Sequence, residues 1–301
     1  MRVKCTTADI VCGLKRIDRR AARCGTLASI TSLRYRPQSA EKRVRKMGDP
    51  VSVICMKWGT RYPSPYVNRL YAAVRRHLTR PHRFLCFTDN PDGLAKGIEA
   101  HPLPPIPLPE RFAWTPWRKL SVWQYPLADL EGDVLFLDLD LLVTGPMDEM
   151  FDYAPGQYCV IENWTQKGED IGNTSAFRFR AGQHKEVFDR FAADPEAVLR
   201  EHRIEQQYIS RLITDQVFWP RDWCVSFKHT LVPRFPMNWV QTPPLPDTAK
   251  LVVFTGRPDI DEAAAGNWPA PWYKRFYKHA KPAPWVTQHW RDDDLPGKSA
   301  S

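Results

Sequence analysis

Residues 133–144 of this 301-residue chain read DVLFLDLDLLVT, an apolar run that carries Asp138 and Asp140 in its middle. Val134, Leu135, Phe136, Leu137, Leu139, Leu141, Leu142 and Val143 predict a short strand buried on both faces, bounded by Gly132 and by the Gly145-Pro146 turn. Residues two apart in a strand share a face, so both carboxylates are expected on one side, roughly 6–7 Å apart. Like charges at that spacing repel and lose hydration, and a divalent cation at the open end of the strand would offset both penalties.

Upstream, residues 51–56 (VSVICM) form a compact apolar strand, followed by a loop of Lys57, Trp58, Gly59, Thr60, Arg61 and Tyr62. Val67, Leu70, Tyr71 and Val74 then recur at helical spacing over 66–77, and residues 83–88 (RFLCFT) supply a second strand ending at the Asp89–Gly93 turn. Two strands flanking one helix predict a right-handed βαβ unit, whose ligands bind beyond the carboxyl ends of the strands. Residues 101–109 are proline-rich and extended, and 114–125 (WTPWRKLSVWQY) fit a helix carrying Arg118 and Lys119.

Downstream, strands are expected at 158–162 and 173–180, with a polar loop between them. Helices follow at 184–193 and 195–213, broken at Asp194-Pro195, the second holding Glu205-Gln206-Gln207-Tyr208. Residues 219–227 and 231–239 read as irregular but packed, and 251–254 (LVVF) as the last strand, leaving through Thr255-Gly256-Arg257-Pro258. The pattern is α/β, with a mostly parallel central sheet flanked by helices. One domain is expected over 47–292, with disordered pieces at 1–46 and 293–301. Glycine-rich dinucleotide and phosphate loops and a serine nucleophile elbow are absent from the sequence.

The formal charge of +9 resides in the N-terminal arm: residues 1–50 hold thirteen Lys/Arg against four Asp/Glu, leaving thirty against thirty in 51–301. A neutral body argues against a nucleic-acid partner. The arm is either a basic tether for an anionic membrane surface or an over-extended start whose initiator is Met47, the second being the expectation. The seven cysteines show no metal or disulfide framework, which points to a reduced, cytoplasmic protein, with peripheral contact at the inner membrane through the arm as a further option.

Three readings of the Asp-x-Asp stay open on the residues alone. The carboxylates could simply reach water. A dehalogenase-like phosphatase would use Asp138 as nucleophile, although Leu141 and Leu142 replace the small residue and Thr usual after its second Asp. The third is the metal-binding Asp-x-Asp of glycosyltransferases. The order of the post-strand loop, TPWRKL, GDVLFLDLDLLVTGPMDEMF, NTSAF, EQQYIS and VVFTGRP resembles A-type (GT-A fold) glycosyltransferases of the glycogenin and lipopolysaccharide galactosyltransferase kind, and more closely a bacterial group of their uncharacterised relatives.

That resemblance implies a GT-A-like fold and a metal-dependent, retaining hexosyltransferase acting from a nucleotide-diphosphate sugar onto a glycan or lipid-linked acceptor in envelope or capsule polysaccharide synthesis. It implies Asp138 and Asp140 as ligands to Mn²⁺ or Mg²⁺, with Asp138 also among the donor-binding groups. Lys57, Tyr62 and Asp89 fall around the donor base, Arg118 or Lys119 on its phosphates or sugar, and Arg257 over the diphosphate. Asn173 lines the sugar and acceptor pocket, and Glu205-Gln206 face the reacting carbon. The wider family completes its metal site with a late-strand His, where this chain has Val253 and Thr255. A catalytically degenerate sugar-nucleotide or glycan-binding protein is the alternative which that departure supports.

Overall fold

The computed structural model describes residues 50–295. The arm at 1–46 and the Met47 start lie outside the described residues. Of the tail expected from 293 onward, Leu295 is buried and Asp294 pairs with Arg76, so its first residues are packed against the domain.

Strand β1 (Val51–Lys57), helix α1 (Ser64–His77) and strand β2 (His82–Thr88) form the expected βαβ unit, β1 and β2 pairing in parallel from Val51↔His82 to Lys57↔Thr88. Pro65 starts α1 in its first turn, where a missing N–H costs nothing, and Arg75, Arg76 and His77 meet the negative end of its dipole. Strand β3 (Glu99–Pro102) extends the sheet beyond β2, and β4 (Asp133–Leu137) lies on the other side of β1. Alternation on β4 serves two cores. Leu135 and Leu137 pack with Val53, Cys55 and α1, while Val134 and Phe136 pack with Ile54 and Met56 on the opposite face.

The apolar run does not continue as one strand. It ends as β4 at Leu137 and resumes as β5 (Leu141–Val143), which belongs to a second sheet. Asp138, Leu139 and Asp140 form the turn between the two, so the carboxylates do not share a strand face as the spacing predicts. The chain is pinned there by the Asp138 N–H donating to the Ser175 carbonyl (2.8 Å) and the Phe254 N–H donating to the Asp140 carbonyl (2.9 Å). Leaving the ladder at Asp138 avoids placing two carboxylates in a doubly covered strand.

Helix α2 (Asp148–Asp152) leads to β6 (Cys159–Glu162) and the long strand β7 (Gly172–Arg180). Three short helices follow: α3 (Glu186–Ala193), α4 (Pro195–Glu201) and α5 (Glu205–Leu212). The helix expected over 195–213 is thus two, separated by His202–Ile204, with Ile204 extended; the split puts Glu205 in the first turn of α5. Strand β8 (Val217–Phe218) closes the large sheet in the order β3-β2-β1-β4-β7-β6-β8, mixed but mostly parallel. Strands β9 (Cys224–Ser226) and β10 (Leu251–Val253) complete the small sheet in the order β5-β10-β9, and α6 (Ile260–Ala265) and α7 (Pro284–His289) pack near it.

The segment expected as a helix at 114–125 is a 3₁₀ helix over Pro116–Trp123, preceded by a shorter one at Glu110–Phe112. Its apolar residues explain this. Trp117, Leu120 and Trp123 are spaced by three, and three residues per turn bring them onto one line against the sheet. Trp123 stacks on Phe177 (5.4 Å between centroids, 6°), which stacks on Phe136 of β4 (4.8 Å). Among the described residues Cys55, Cys86, Cys159 and Cys224 are free and buried, the first three in the apolar runs of β1, β2 and β6, and no helix is long and apolar enough to cross a membrane.

Arg178, fully buried on β7, holds the α2–β6 connection. Its guanidinium reaches the carbonyls of Met150, Phe151, Tyr153, Ala154 and Gln157 at 2.5–3.2 Å, and the Cys159 sulfur. Carbonyls buried without donors each cost free energy, and only a five-donor fork serves so many at once. Arg178→Met should therefore lower the melting temperature by about 10 °C, and Arg178→Lys by a smaller amount, from losses of roughly 3–5 kcal/mol spread over a domain of this size. Thermal denaturation of the variants measures both.

Candidate functional site

The strand order changes direction at β1: β2 and β3 lie to one side, β4 to the other. In α/β sheets such a switch point leaves a crevice beyond the carboxyl ends of its two strands. Here that crevice is a cleft of about 420 Å³, bordered by Lys57 at the end of β1, the loop through Gly59, Arg61 and Tyr62, and Asp138 and Asp140 just past β4. Lys119, Trp58 and Trp114 complete the walls the chemistry uses.

The loop after β1 is shaped by its neighbours. Gly59 sits at φ +64°, and a Cβ there would lie 2.6 Å from the Trp114 ring, so glycine is required by conformation and by contact. Its N–H donates to the Asp89 carboxylate at 2.8 Å, while the Lys57 ammonium donates to the Asn90 carbonyl at 3.0 Å. Asp89 thus fixes the loop from the end of β2 and is not among the residues walling the cleft.

Behind the acidic pair lies a buried chain of charges. Lys119 donates to the Asp138 carboxylate at 2.5 Å and approaches the Thr174 carbonyl at 3.4 Å. The Thr174 hydroxyl donates to Glu205 at 2.9 Å. Burial by itself would lower the Lys119 pKa, but the charges of Asp138 and Glu205 turn the net shift upward. Burial raises Asp138 despite Lys119, and burial followed by the charge of Asp138 pushes Asp140 up to about 7. Burial, then Asp140, likewise drives the Tyr62 hydroxyl well above its usual range.

The Asp140 Oδ1 atom is buried and has no hydrogen-bond partner. A buried acceptor left orphaned beside a second carboxylate is the signature of a place for a cation. Among the described residues no third His, Cys, Asp or Glu joins this pair in a metal-holding cluster. Val253 is buried inside β10, and the Thr255 carbonyl accepts from Lys228. The donor set therefore suits a hard divalent ion that draws its remaining ligands from water and substrate oxygens, as Mg²⁺ commonly does.

Of the residues singled out from the sequence, Lys57, Tyr62, Lys119, Asp138 and Asp140 meet in this cleft. Glu205 stands one step behind, through Thr174 and Lys119. Gln206 and Asn173 are not among the cleft's walls; the Asn173 side chain accepts from the Ser175 N–H at 3.1 Å. Arg118 turns away, donating to the Ala113 carbonyl at 3.2 Å, so Lys119 is the cation of the two that faces the carboxylates. Arg257 is engaged by Asp259 and Glu262. Sequence reasoning missed Arg61, Thr174 and Lys228. Arg61 was findable from its place in the loop after β1, whereas Lys228 lies ninety residues from the Asp pair with no motif to mark it.

No protein-family model matches the chain, and no curated protein matches it. Solved structures similar to it include the galactosyltransferase LgtC bound to donor and acceptor sugar analogues, at 12% identity and a TM-score of 0.48 over 74% of this chain and 99% of that one. The glycosyltransferase GlyE of Streptococcus pneumoniae gives 12% and 0.48 over 69% and 56%. The bifunctional glycosyltransferase WbbM in its apo form gives 11% and 0.46 over 72% and 48%.

The Asp140 shift has a stability consequence. Its folded pKa of about 7 lies above the ordinary 3.8, so the carboxyl contributes no penalty below pH 4, and stability is lost as pH rises through 7. Asp140→Asn removes that ionisation. In chelator at pH 8 the variant should melt several degrees above the parent, a gain on the order of 3 kcal/mol, with the gap closing toward pH 4. A gap independent of pH would contradict this assignment of the charge.

Proposed function

We propose that the chain is an A-type glycosyltransferase that moves a hexose from a nucleotide-diphosphate donor to a glycan or lipid-linked acceptor, with 47–292 as its catalytic domain. The observation that carries this reading is the orphaned Asp140 oxygen in the switch-point cleft, beside an Asp138 that Lys119 already pairs. The resemblance of the sequence motifs supports the same reading and leans toward retention of configuration and toward envelope or capsule polysaccharide as the product.

In such a transfer the bond from the anomeric carbon to the diphosphate oxygen breaks, and the leaving nucleoside diphosphate gains negative charge. Preorganised cations facing that charge lower the barrier. Lys119 and Arg61 are the side chains of this chain available for it, with Lys57 at the base end of the cleft. The rings of Tyr62, Trp58 and Trp114 offer faces for the base and ribose. Asp138 and Asp140 would hold Mn²⁺ or Mg²⁺, which supplies Lewis-acid neutralisation of the diphosphate when bound. Glu205 sets the position and charge of Lys119 from behind, a positioning role. Leu141 and Leu142, in place of the small residue and Thr that follow the second Asp of a dehalogenase-like phosphatase, disfavour Asp138 as a phosphatase nucleophile.

The test is nucleoside-diphosphate release from a panel of UDP- and GDP-sugars, with Mn²⁺ or with EDTA. Release should need the metal and fall by about 10²-fold or more in Asp138→Ala and in Lys119→Met. Donor binding by calorimetry without any release would favour the sugar-nucleotide-binding alternative. Release of inorganic phosphate from monoesters would favour the phosphatase.

A further inference from the structure

Ten large apolar side chains stand exposed among the described residues, and eight of them fall in two short segments: Phe235, Met237, Trp239 and Val240 in one, Trp272, Tyr273, Phe276 and Tyr277 in the other. Scattered exposed apolar residues need no explanation, but a gathered set does. The two segments are stapled together. Asn238, fully buried, donates to the carbonyls of Tyr277 (3.3 Å) and His279 (3.0 Å), and the Trp239 indole donates to the Phe276 carbonyl at 2.7 Å. Phe235 meets Phe276 edge to face at 5.7 Å, and Trp239 stacks on His279 at 3.9 Å. The aromatic surface is therefore one built patch, with Trp272 at its most exposed point, 82% accessible.

The stretches of chain that carry it are basic. Residues 228–246 and 266–291 together hold seven Lys/Arg and no Asp or Glu, against 23 Lys/Arg and 30 Asp/Glu in the rest of residues 51–301. Tyr and Trp interleaved with Lys and Arg is the composition that seats a protein in the headgroup region of a bilayer: the rings occupy the interface and the cations meet anionic lipid. A second copy of the same surface would set these cations against one another, and a neutral glycan would leave them without partners.

The patch also adjoins the cleft. Lys228, which opens the first of these basic stretches, donates to the Thr255 carbonyl, and the N–H of the adjoining Phe254 donates to the Asp140 carbonyl at 2.9 Å. We propose that this surface docks on an anionic lipid bilayer, with the Asp138–Asp140 cleft opening beside the membrane plane so that its acceptor is one carried by a lipid. The acceptor part rests on the transferase reading; the docking does not.

Co-sedimentation of the full chain with vesicles of phosphatidylcholine and phosphatidylglycerol (about 7:3), and with phosphatidylcholine alone, tests this at roughly 0.15 M and 0.5 M salt. The basic arm would add binding that high salt removes, so the decisive comparison is at high salt. Wild type should sediment with anionic vesicles under both conditions. Trp272→Ser/Tyr273→Ser/Phe276→Ser, which keeps every charge, should lose binding at high salt by tenfold or more. Lys274→Glu/Lys278→Glu should lose about thirtyfold at low salt, from roughly fivefold per surface cation. Unchanged melting temperatures establish that the variants fold, and unchanged nucleoside-diphosphate release without vesicles separates this proposal from that of function. Vesicle binding by the triple variant equal to wild type, or no binding by wild type, overturns it. So does a loss of dimer in the triple variant, or a loss of activity on a soluble glycan with vesicle binding intact, which would assign the patch to a second copy or to a sugar.

Discussion

The ion pair between Lys119 and Asp138 is the constraint on which the site depends. Lys119 comes from a 3₁₀ helix that has no ladder to hold it, and Asp138 from the residue at which a central strand gives out. Neither charge could be buried alone, since desolvation of one unpaired ion costs several kcal/mol. Together they tie the Pro116–Trp123 segment to the end of β4, and Thr174 and Glu205 extend the tie to β7 and α5. Four pieces of chain, far apart in sequence, are thus referenced to one another at the cleft.

The pair also leaves the site unbalanced. Three carboxylates, Asp138, Asp140 and Glu205, share one deeply buried ammonium, and the shortage falls on Asp140, whose oxygen lacks a partner. The folded chain tolerates a local excess of negative charge that would relax if any of these groups were exposed to water. A cleft walled by the Asp138–Asp140 pair and by the cations Lys57, Arg61 and Lys119 is arranged for a ligand carrying both signs, such as a metal-bound diphosphate.

Much of this arrangement was legible in the sequence. Compact apolar runs at residues 51–56 and 133–144 located the two strands whose ends make the crevice, and the Asp-x-Asp stood out because carboxylates rarely sit in so apolar a run. What the pattern could not convey was that the run serves two sheets. An unbroken apolar run looks the same whether the partner strand is β1 or β10, and the break around Leu139 is set by hydrogen bonds to Ser175 and Phe254, residues remote in the chain. The 3₁₀ conformation of Pro116–Trp123 was concealed for a similar reason: a spacing of three suits both helix types, and the aromatic stack against Phe177 decides between them. The choice of Lys119 over Arg118 needed only the facing of adjacent residues, which follows once the helix type is known.

The cage around Arg178 bears on how the site responds to its own chemistry. Substrate binding and departure would bring large changes of charge to the cleft, and carboxylates nearby answer such changes by taking up or losing protons. The brace formed by Arg178 cannot answer in that way. A guanidinium does not deprotonate in a protein, and backbone carbonyls do not titrate. Strand β7, which pairs with β4 and carries Thr174, is therefore anchored by a contact blind to pH and to the charge of whatever occupies the cleft. Electrical swings at one end of the strand are kept from becoming shifts of position at the other.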